Sequence, residues 1–324
     1  MRAVLCKAFG PPETLTIENL PDPVPGPGEV LVDIAFVGLN FMDTLVIENR
    51  YQVKPPLPFS PGAEFSGRVA GLGAGVTGFA VGDRVCGHCG YGAARERLVV
   101  PADALNAIPD GLSDEAAAGL IITYGTSLHA LRDRGRLKAG ETLAVLGASG
   151  GVGLAAVELG AALGARVIAC ASSTDKLAFA RQAGAAETVD YSRVDLKDEL
   201  KRLGGAHGID VVYDPVGGDL TEAAVRALAW RGRLLVVGFA SGTIPKLPLN
   251  LALLKGCDIV GVFWGAFGKN EPEARRRDIA DLLAFARDGK ISAHVHAVYP
   301  LDEVAAALGV LQRREAIGKV LLRL

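Results

Sequence analysis

Apolar runs of about six residues alternate with amphipathic stretches through the middle of this 324-residue chain. Short apolar runs are typical of buried strands, and the longer amphipathic stretches between them indicate helices. A regular alternation of the two favours an α/β fold, a doubly wound parallel sheet with helices on both faces. The pattern predicts strands over residues 142–147, 166–171, 186–190, 209–213, 233–238 and 258–263, with helices between them, for example over 174–183 and 220–229.

The first 118 residues or so have a different pattern. Their apolar runs, such as 30–35 and 68–72, are short and are bounded by clusters of proline and glycine. Many short strands with dense turns are typical of a β-rich, barrel-like domain. The chain ends in a predicted helix, 302–312, and a predicted strand, 319–322, which we expect to return to this first domain.

A glycine-rich turn, Gly147–Gly153, follows the first strand of the predicted sheet and precedes a helix of small residues. Such a turn leaves backbone N–H groups exposed at a helix N-terminus, where the helix dipole favours an anion. In a strand–turn–helix–strand unit of about this length, the anion is usually a dinucleotide pyrophosphate. The turn departs from G-x-G-x-x-G because Ala148 occupies the first glycine position, but its context still predicts a nucleotide site.

The end of the second predicted strand bears on which dinucleotide binds. An NAD site usually places an acidic residue there, to bind both ribose hydroxyls. This chain has Ala171 instead, followed by hydroxyl residues and Lys176. Hydroxyls and an ammonium would hold a 2′-phosphate that a carboxylate would repel, so the sequence favours NADPH. A competing interpretation is that Ser173 and its neighbours only cap the next helix.

Composition excludes several classes of partner. The 34 basic and 36 acidic residues are dispersed and give a formal charge of −2. The chain has no basic stripe that would indicate nucleic-acid binding and no polybasic segment that would indicate binding to an anionic membrane. The most apolar stretch, 143–171, is interrupted by glycines, Glu158 and Arg166, and the first residues lack the apolar core of a signal peptide. We therefore expect a cytoplasmic protein without a membrane span.

Candidate metal ligands are few. Cys86 and Cys89 form the one close cysteine pair, whereas a structural zinc site usually needs two separated pairs. We therefore predict no metal there; a turn that contains thiols and a local disulfide on oxidation both stay open. The five histidines, at positions 88, 129, 207, 294 and 296, do not cluster with acidic residues in a catalytic spacing.

These features, in this order, resemble the medium-chain dehydrogenase/reductase superfamily, most closely its zinc-free quinone oxidoreductase branch. The resemblance covers nearly the whole chain. It implies a Rossmann domain for the doubly wound sheet and a GroES-like catalytic domain, with limits at 1–118, 119–265 and a return segment at 266–324. The matching segments are 38–43, 61–67, 82–85, 147–153, 184–185, 210–218 and 318–320.

The resemblance also implies the residues of a site. In zinc-dependent relatives the positions of Asn40 and Ala63 hold a metal-binding Cys and His, so hydride transfer without metal is implied here. The implied catalytic residues, lining the nicotinamide and substrate cleft, are Asn40, Tyr51 and Thr123. The implied cofactor residues are Gly150, Gly151 and Val152 at the pyrophosphate, Ser172, Lys176 and Tyr191 at the 2′-phosphate, and Gly238, Phe239, Val262 and Phe263 beside the nicotinamide.

One segment departs from the family pattern. The usual Arg-x-Gly-x-Tyr reads Ile47-Glu48-Asn49-Arg50-Tyr51 here, so the substrate contacts of this loop stay open. Trp264 and Phe267 add aromatic surface that lines either the cleft or a dimer seam. The apolar strand 258–262 would leave an open sheet edge, and we predict that it pairs with its mate in a homodimer.

The resulting prediction is an NADPH-dependent reductase of quinones or α,β-unsaturated carbonyls. Asn40 and Tyr51 are the expected hydrogen-bond donors to the developing enolate or hydroquinone oxygen. One alternative is an enoyl-thioester reductase acting on CoA or carrier-protein substrates, for which Arg275–Arg277 is the only basic entrance. The other alternative is an NADPH-binding sensor or structural protein with incidental turnover.

Overall fold

The structure, a computed structural model, describes all residues from 1 to 324. Its strands are β1 (Arg2–Leu5), β2 (Thr16–Asn19), β3 (Glu29–Leu39), β4 (Glu64–Leu72), β5 (Arg84–His88), β6 (Arg97–Pro101), β7 (Leu105–Ala107), β8 (Thr142–Leu146), β9 (Arg166–Ala171), β10 (Glu187–Asp190), β11 (Ile209–Asp214), β12 (Leu228–Val236), β13 (Asp258–Gly261), β14 (Val295–Pro300) and β15 (Lys319–Arg323). Its α-helices are α1 (Phe41–Ile47), α2 (Asp114–Ala118), α3 (Ile121–Leu128), α4 (Gly151–Ala162), α5 (Thr174–Gln182), α6 (Leu196–Gly204), α7 (Asp219–Val225), α8 (Asn250–Lys255), α9 (Trp264–Asn270), α10 (Pro272–Arg287) and α11 (Val304–Gln312).

The chain divides into two units. Unit 1 comprises residues 1–122 and 293–324, and unit 2 comprises residues 123–292. The limits expected from the sequence, at 118 and 265, differ from these. The larger difference arises because α10 buries Ile279 and Leu282 within unit 2, so the return to unit 1 begins after that helix.

Unit 2 contains a six-stranded parallel sheet in the order β10-β9-β8-β11-β12-β13. The predicted doubly wound sheet is therefore confirmed, and its strand order reverses between β8 and β11. Residues 143–146 of β8 are fully buried. This burial explains why the strands read as nearly continuous apolar runs, since a parallel sheet is covered on both faces.

The predicted helix over 220–229 is too long. Helix α7 ends at Val225, and the chain re-enters the sheet at Leu228, which pairs with Ile209 before a register shift. Leu228 and Ala229 are buried, so their apolar side chains fill the sheet side of the core rather than a helix face. Arg231, with φ of 61°, takes the left-handed conformation at the irregularity.

Unit 1 is built on a seven-stranded sheet, of which six follow the order β14-β15-β3-β4-β5-β7 while β6 pairs with β3. As predicted, the last strand returns to this domain: β15 pairs antiparallel to β3 and parallel to β14. The predicted helix 302–312 begins as a 3₁₀ turn and continues as α11. No helix in either unit has the length and apolar character that crossing a membrane requires.

Candidate functional site

Helix α4 begins directly after the glycine turn at the carboxyl end of β8. Gly147 has φ of 58°, and the backbone N–H of Ala148 donates to the carbonyl of Cys170 at 3.0 Å, which ties the turn to β9. The N-cap, Gly150, offers no side chain to the first N–H groups of the helix. These groups therefore stay available to an anion, as the sequence predicts.

Gly153 allows this turn to fold back on its own helix. A Cβ atom at that position would lie 2.1 Å from the carbonyl oxygen of Gly147, far inside van der Waals contact. A Cβ at Gly150 would find its nearest neighbour at 3.6 Å. The two glycines therefore serve different purposes: Gly153 is required for packing, while Gly150 keeps the helix N-terminus open to a ligand.

The other predicted cofactor residues lie at the same edge of this sheet. Ser172 follows β9, Gly238 and Phe239 follow β12, and Val262 and Phe263 follow β13. All strands of a parallel sheet end at one edge, so these positions face the same side as the glycine turn. Phe239 and Phe263 keep 38% and 54% of their surface exposed, whereas Val262 is buried.

The loop after β11 is held rigidly at this edge by a buried carboxylate. Asp214 accepts hydrogen bonds from the backbone N–H groups of Val216 and Gly217, each at 2.9 Å, and from the hydroxyl of Thr221. Gly217, with φ of 72°, also leaves no room for a Cβ beside the ring of Phe239. The loop and the aromatic ring are thus fixed together before any ligand binds.

A polar cavity of about 320 Å³ opens where β9 and β10 end. Ser172 lines it, and Tyr191 lies beside the end of β9, with its backbone N–H donating to the carbonyl of Ala171 at 3.2 Å. Ser173 caps α5 by accepting from the N–H of Lys176, as the competing interpretation expected. Capping by Ser173 leaves the Ser172 hydroxyl to the cavity.

The sequence analysis missed two residues of this cavity, Ser192 and Arg193. Asp190 accepts from the N–H and the hydroxyl of Ser192, which holds the pKa of that carboxyl below its usual range. Arg193 Nε lies 3.6 Å from Asp190 Oδ2, and the side chain is otherwise largely exposed. The available signal was a basic residue just after the predicted strand 186–190, the strand that adjoins β9.

In unit 1, Asn40 lies in a buried polar network. Lys319 Nζ donates to Glu64 Oε1 and to Asn40 Oδ1, both at 2.7 Å, and to the carbonyl of Leu39 at 2.9 Å. The other oxygen of Glu64 accepts from the backbone N–H of Ile122 at 2.8 Å. Glu64 and Lys319 are 0% and 2% exposed, so this is an ion pair without solvent contact.

The amide group of Asn40 is fully used within the network. Its Nδ2 donates to Glu64 Oε1 at 2.9 Å and to the carbonyl of Gly38 at 3.3 Å, while its Oδ1 accepts from Lys319. Donation from Asn40 to a substrate oxygen would therefore require one of these bonds to break. In this geometry Asn40 fixes the start of α1.

Asp43 connects this network with Tyr51. Its carboxylate accepts from the N–H of Asn40 at 2.7 Å and from that of Gly62 at 3.1 Å. Burial raises the pKa of Asp43 to about 6, even though these two bonds and the charge of Lys319 oppose the shift. Burial, and then the charge of Asp43, raise the pKa of Tyr51, so its hydroxyl stays protonated at neutral pH.

The loop before Tyr51 shows how the departure from the family pattern is accommodated. Asn49 takes φ of 58°, the left-handed conformation that suits glycine and that asparagine tolerates best among other residues. Thr123, the third implied catalytic residue, begins unit 2; it is buried, and its carbonyl accepts from the hydroxyl of Ser127.

Trp264 and Phe267 do not form an exposed dimer seam. Both are buried in unit 2, where Phe267 stacks on His129 at 3.9 Å between ring centroids. The guanidinium of Arg275 lies over the Trp264 ring at 4.8 Å, so one arginine of the basic run is engaged in an aromatic contact. The burial of both rings disfavours the dimer seam, one of the two alternatives, and a role in lining the cleft stays a prediction.

The cysteine pair shows no reactive character. Cys86 and Cys89 are both free thiols. Burial is the main reason that the pKa of each rises to about 12, so neither is a thiolate at neutral pH.

Comparison with known proteins gives a consistent result over the whole chain. Residues 26–110 match the family model described as alcohol dehydrogenase GroES-like domain, and residues 151–285 match the one described as zinc-binding dehydrogenase. A quinone oxidoreductase-like protein 2 of Rattus norvegicus is 40% identical over 324 residues, covering 100% of this chain and 92% of the relative. A quinone oxidoreductase of Pseudomonas aeruginosa is 35% identical over 317 residues, covering 97% of each. The structure of Escherichia coli quinone oxidoreductase complexed with NADPH matches with a TM-score of 0.92 and 29% identity, covering 100% of both chains.

We expect Gly153→Ala to lower the free energy of unfolding by about 1–3 kcal/mol, because the new methyl group overlaps the Gly147 carbonyl. Helix propensity alone predicts the opposite sign, since alanine is favoured over glycine inside a helix. Urea denaturation measures the change. Gly150→Ala is the matched control: it adds a methyl group without a clash and should lose only the N-cap preference for glycine over alanine, a smaller effect. A Gly153→Ala protein as stable as the parent would contradict the steric argument.

Lys319→Met should cost about 3–5 kcal/mol of stability, because it leaves the carboxylate of Glu64 buried without its counter-ion. Combining it with Glu64→Gln removes that charge, so the double variant should be more stable than Lys319→Met alone. Equilibrium unfolding of the parent protein, the two single variants and the double variant gives the coupling. If the effects of the two substitutions on the free energy of unfolding simply added, Lys319 and Glu64 would not stabilise the protein as an interacting pair.

Proposed function

The chain belongs to the medium-chain dehydrogenase/reductase superfamily, in its quinone oxidoreductase branch, and on that premise we propose that it reduces quinones or α,β-unsaturated carbonyls with NADPH and without a metal ion. One observation carries the proposal. Helix α4 begins after the glycine turn with N–H groups that no side chain caps, and a polar cavity lined by Ser172 opens at the end of β9, the strand next to β8, where Ala171 stands in place of an acidic residue.

The residues at the carboxyl edge of the unit 2 sheet fit NADPH part by part. Gly150, Gly151 and Val152 would hold the pyrophosphate at the start of α4, where open N–H groups and the helix dipole favour anions. The backbone at Gly238 and Val262 would flank the nicotinamide. When bound, NADPH supplies the hydride, and the protein supplies its placement and surroundings.

The 2′-phosphate would lie in the cavity of Ser172, with Lys176 and Tyr191 beside it. We add Arg193 to this set, because it is largely exposed at the cavity and its contact with Asp190 is a loose one. Asp190 and Asp175 also line the cavity, and Ser192 donates to Oδ1 of Asp190. The phosphate would therefore need Arg193 and Lys176 to offset these two carboxylates.

In unit 1, Tyr51 is the better donor to a developing oxyanion. Its hydroxyl is protonated at neutral pH, and a hydrogen bond to an oxygen that gains charge in the transition state lowers the barrier. Asn40 would act mainly by positioning, since its amide is held between Glu64 and Lys319. Thr123, the third residue of the implied catalytic set, stays a prediction.

The donor set in unit 1 does not fit a catalytic zinc ion. Zinc in enzymes takes three nitrogen, sulfur or carboxylate ligands and keeps a further position open. Glu64 offers the one carboxylate of the family motif, but both of its oxygens are used by Lys319, Asn40 and Ile122. The Lys319 ammonium supplies the positive charge beside Glu64, so the reaction proposed uses no metal.

The enoyl-thioester alternative finds little support in the basic run that it requires. Arg275 packs over Trp264, while Arg276 and Arg277 are exposed on α10. An NADPH-binding protein with incidental turnover is the other alternative, and it predicts cofactor binding without efficient reduction of any substrate. A substrate panel separates the three functions.

We also propose a homodimer formed through one face of unit 2. Strand β13 ends the sheet and leaves one side unpaired. Helix α8 precedes it and exposes Leu249, Leu253 and Leu254, with Leu253 at 78%, and Trp230 is 71% exposed. Large apolar side chains exposed together are typical of an interface, and a two-fold axis would pair both copies of the edge.

NADPH should bind at least about tenfold more tightly than NADH, a gap of about 1.4 kcal/mol. Lys176→Ala and Arg193→Ala should each narrow the gap by weakening NADPH binding while NADH binding stays nearly constant. Fluorescence titration measures both cofactors. Arg181→Ala removes a positive charge elsewhere on α5 and is the control; equal affinities in the parent protein would refute the preference.

With NADPH, we expect turnover of a quinone and an enone that survives chelator treatment, and slower turnover of an enoyl thioester. Activity that requires added zinc would overturn the metal-free reaction.

Tyr51→Phe should lower kcat/KM by about 10- to 1000-fold with little loss of thermal stability, as expected for removal of an oxyanion donor. Unchanged activity in both Tyr51→Phe and Asn40→Ala would overturn the site assignment.

Light scattering at micromolar concentration should report about twice the 33.6 kDa chain mass. Leu253→Glu should shift the protein to monomer, because it places a charge in the apolar face. Val194→Glu, at another exposed apolar position of unit 2, should leave the mass unchanged. A monomeric parent protein would show that the β13 edge is not used for pairing.

A further inference from the structure

We propose that unit 2 binds one divalent transition-metal ion, Zn²⁺ foremost, between His129, Asp133 and Asp278. His129 and Asp133 lie one turn apart in a π-helical turn, His129–Arg134, that continues α3, and Asp278 lies on α10. One ligand atom from each residue lies within 4.8 Å of the other two. This site has no part in the reductase chemistry proposed above and does not depend on it.

An unsatisfied oxygen gives the first argument. Asp278 and His129 are 3% and 5% exposed. Oxygen Oδ2 of Asp278 is buried and has no hydrogen-bond partner. Buried carboxylate oxygens are nearly always hydrogen-bonded or bound to a cation, because burial removes the water that would solvate them. The oxygen therefore indicates a partner that the protein chain does not provide.

Arg132 orients the carboxylates without filling the site. It donates through Nη2 to Oδ1 of Asp278 and through Nη1 to Asp281 Oδ2 at 2.7 Å, and its Nε lies 3.7 Å from Asp133 Oδ1. The arginine thus binds one oxygen each of Asp278 and Asp281 and lies near Asp133 without a hydrogen bond to it. Asp278 Oδ2 is left for the metal, whereas Asp133 Oδ2 and His129 Nδ1 now share a hydrogen bond and would release its proton to solvent when both bind the ion.

The charge of the cluster matches a divalent ion. Three carboxylates surround one guanidinium, and with a neutral imidazole the negative charges exceed the positive ones by two. A monovalent cation would leave this excess half balanced. One guanidinium charge cannot neutralise three carboxylates by itself.

The ligand types select the metal. One imidazole nitrogen with two carboxylate oxygens suits Zn²⁺, Co²⁺ or Ni²⁺, whereas Mg²⁺ and Ca²⁺ prefer oxygen ligands only. His129 Nδ1 and Asp133 Oδ2 are already 2.8 Å apart, and the ring is held in plane by its stack on Phe267. Metal–ligand distances of about 2.0–2.2 Å require the widest separation to close by roughly 1 Å. The side chain of Asp133 is 36% exposed, so an ion can reach the cluster from solvent.

The ion would join α10 to the π-helical turn. The turn is closed by the backbone N–H of Gly135, which donates to the carbonyl of Ala130 at 2.7 Å, five residues earlier. Such turns are uncommon inside helices and often occur at functional sites. Metal binding at this point would therefore stabilise unit 2 rather than take part in catalysis.

The test uses the full-length protein after chelator treatment, titrated with Zn²⁺ by calorimetry and followed by thermal denaturation with and without Zn²⁺. We expect one Zn²⁺ per chain and a rise in Tm. His129→Gln and Asp278→Asn should each weaken Zn²⁺ binding by at least about tenfold and remove the rise. His207→Gln is the matched control, because His207 also bonds to an aspartate, Asp210 at 2.7 Å, but is exposed; it should bind like the parent.

The Tm of each variant is compared with and without Zn²⁺. A loss of stability from the lost His129–Asp133 hydrogen bond therefore does not affect the measured rise in Tm. The Co²⁺ form should show visible bands of nitrogen and oxygen coordination. A thiolate charge-transfer band would assign the ion to a cysteine and overturn the proposal. Absence of stoichiometric Zn²⁺ binding, or equal binding in His129→Gln, would also overturn it and would mean that the cluster holds only Arg132 and protons.

Discussion

The organisation of unit 1 depends on the ammonium of Lys319. It joins three parts of the chain, since it donates to the end of β3, to the start of α1 and to a carboxylate on β4. An ammonium that is 2% exposed is stable only if its donors are satisfied, and here three acceptors surround it. The loop that carries Asn40 is held in place by the last strand of the chain.

In this arrangement the charged groups are stabilised within the protein, and the group proposed to act on a ligand is an uncharged hydroxyl. Glu64 has its charge balanced by Lys319 inside the protein. Burial raises the pKa of Asp43, close to the network, to about 6, so Asp43 is still mostly ionised at neutral pH, where two backbone N–H groups donate to it. The hydroxyl of Tyr51, whose pKa burial and the charge of Asp43 raise, is the group beside this network that we propose acts on a ligand.

A different constraint, the common direction of the parallel strands, forms the edge of the unit 2 sheet at which we propose that NADPH binds. Parallel strands all end on the same side, so the loops after all six strands lie at one edge, and backbone hydrogen bonds join some neighbouring loops, as between Ser241 and Val216. Buried bonds then fix the loops individually, as Asp214 does for the turn after β11. Between the π-helical turn and α10, by contrast, the buried polar groups are not all satisfied, because Oδ2 of Asp278 has no hydrogen-bond partner.

The sequence by itself determined the alternation of strands and helices in unit 2, the glycine turn and the return of the last strand, because hydrophobic period and glycine placement act locally. It also located Ser172 at the strand end, since position along a parallel strand follows from the strand's limits. It did not show the contacts of Lys319 with Glu64, which lies 255 residues away in sequence, and with Asn40, which lies 279 residues away. It likewise missed Arg193 and the cluster around Asp278, and it extended α7 into β12. Those features were decided by the tertiary structure, because they depend on which elements become neighbours, and no local pattern of residues encodes the distance between distant side chains.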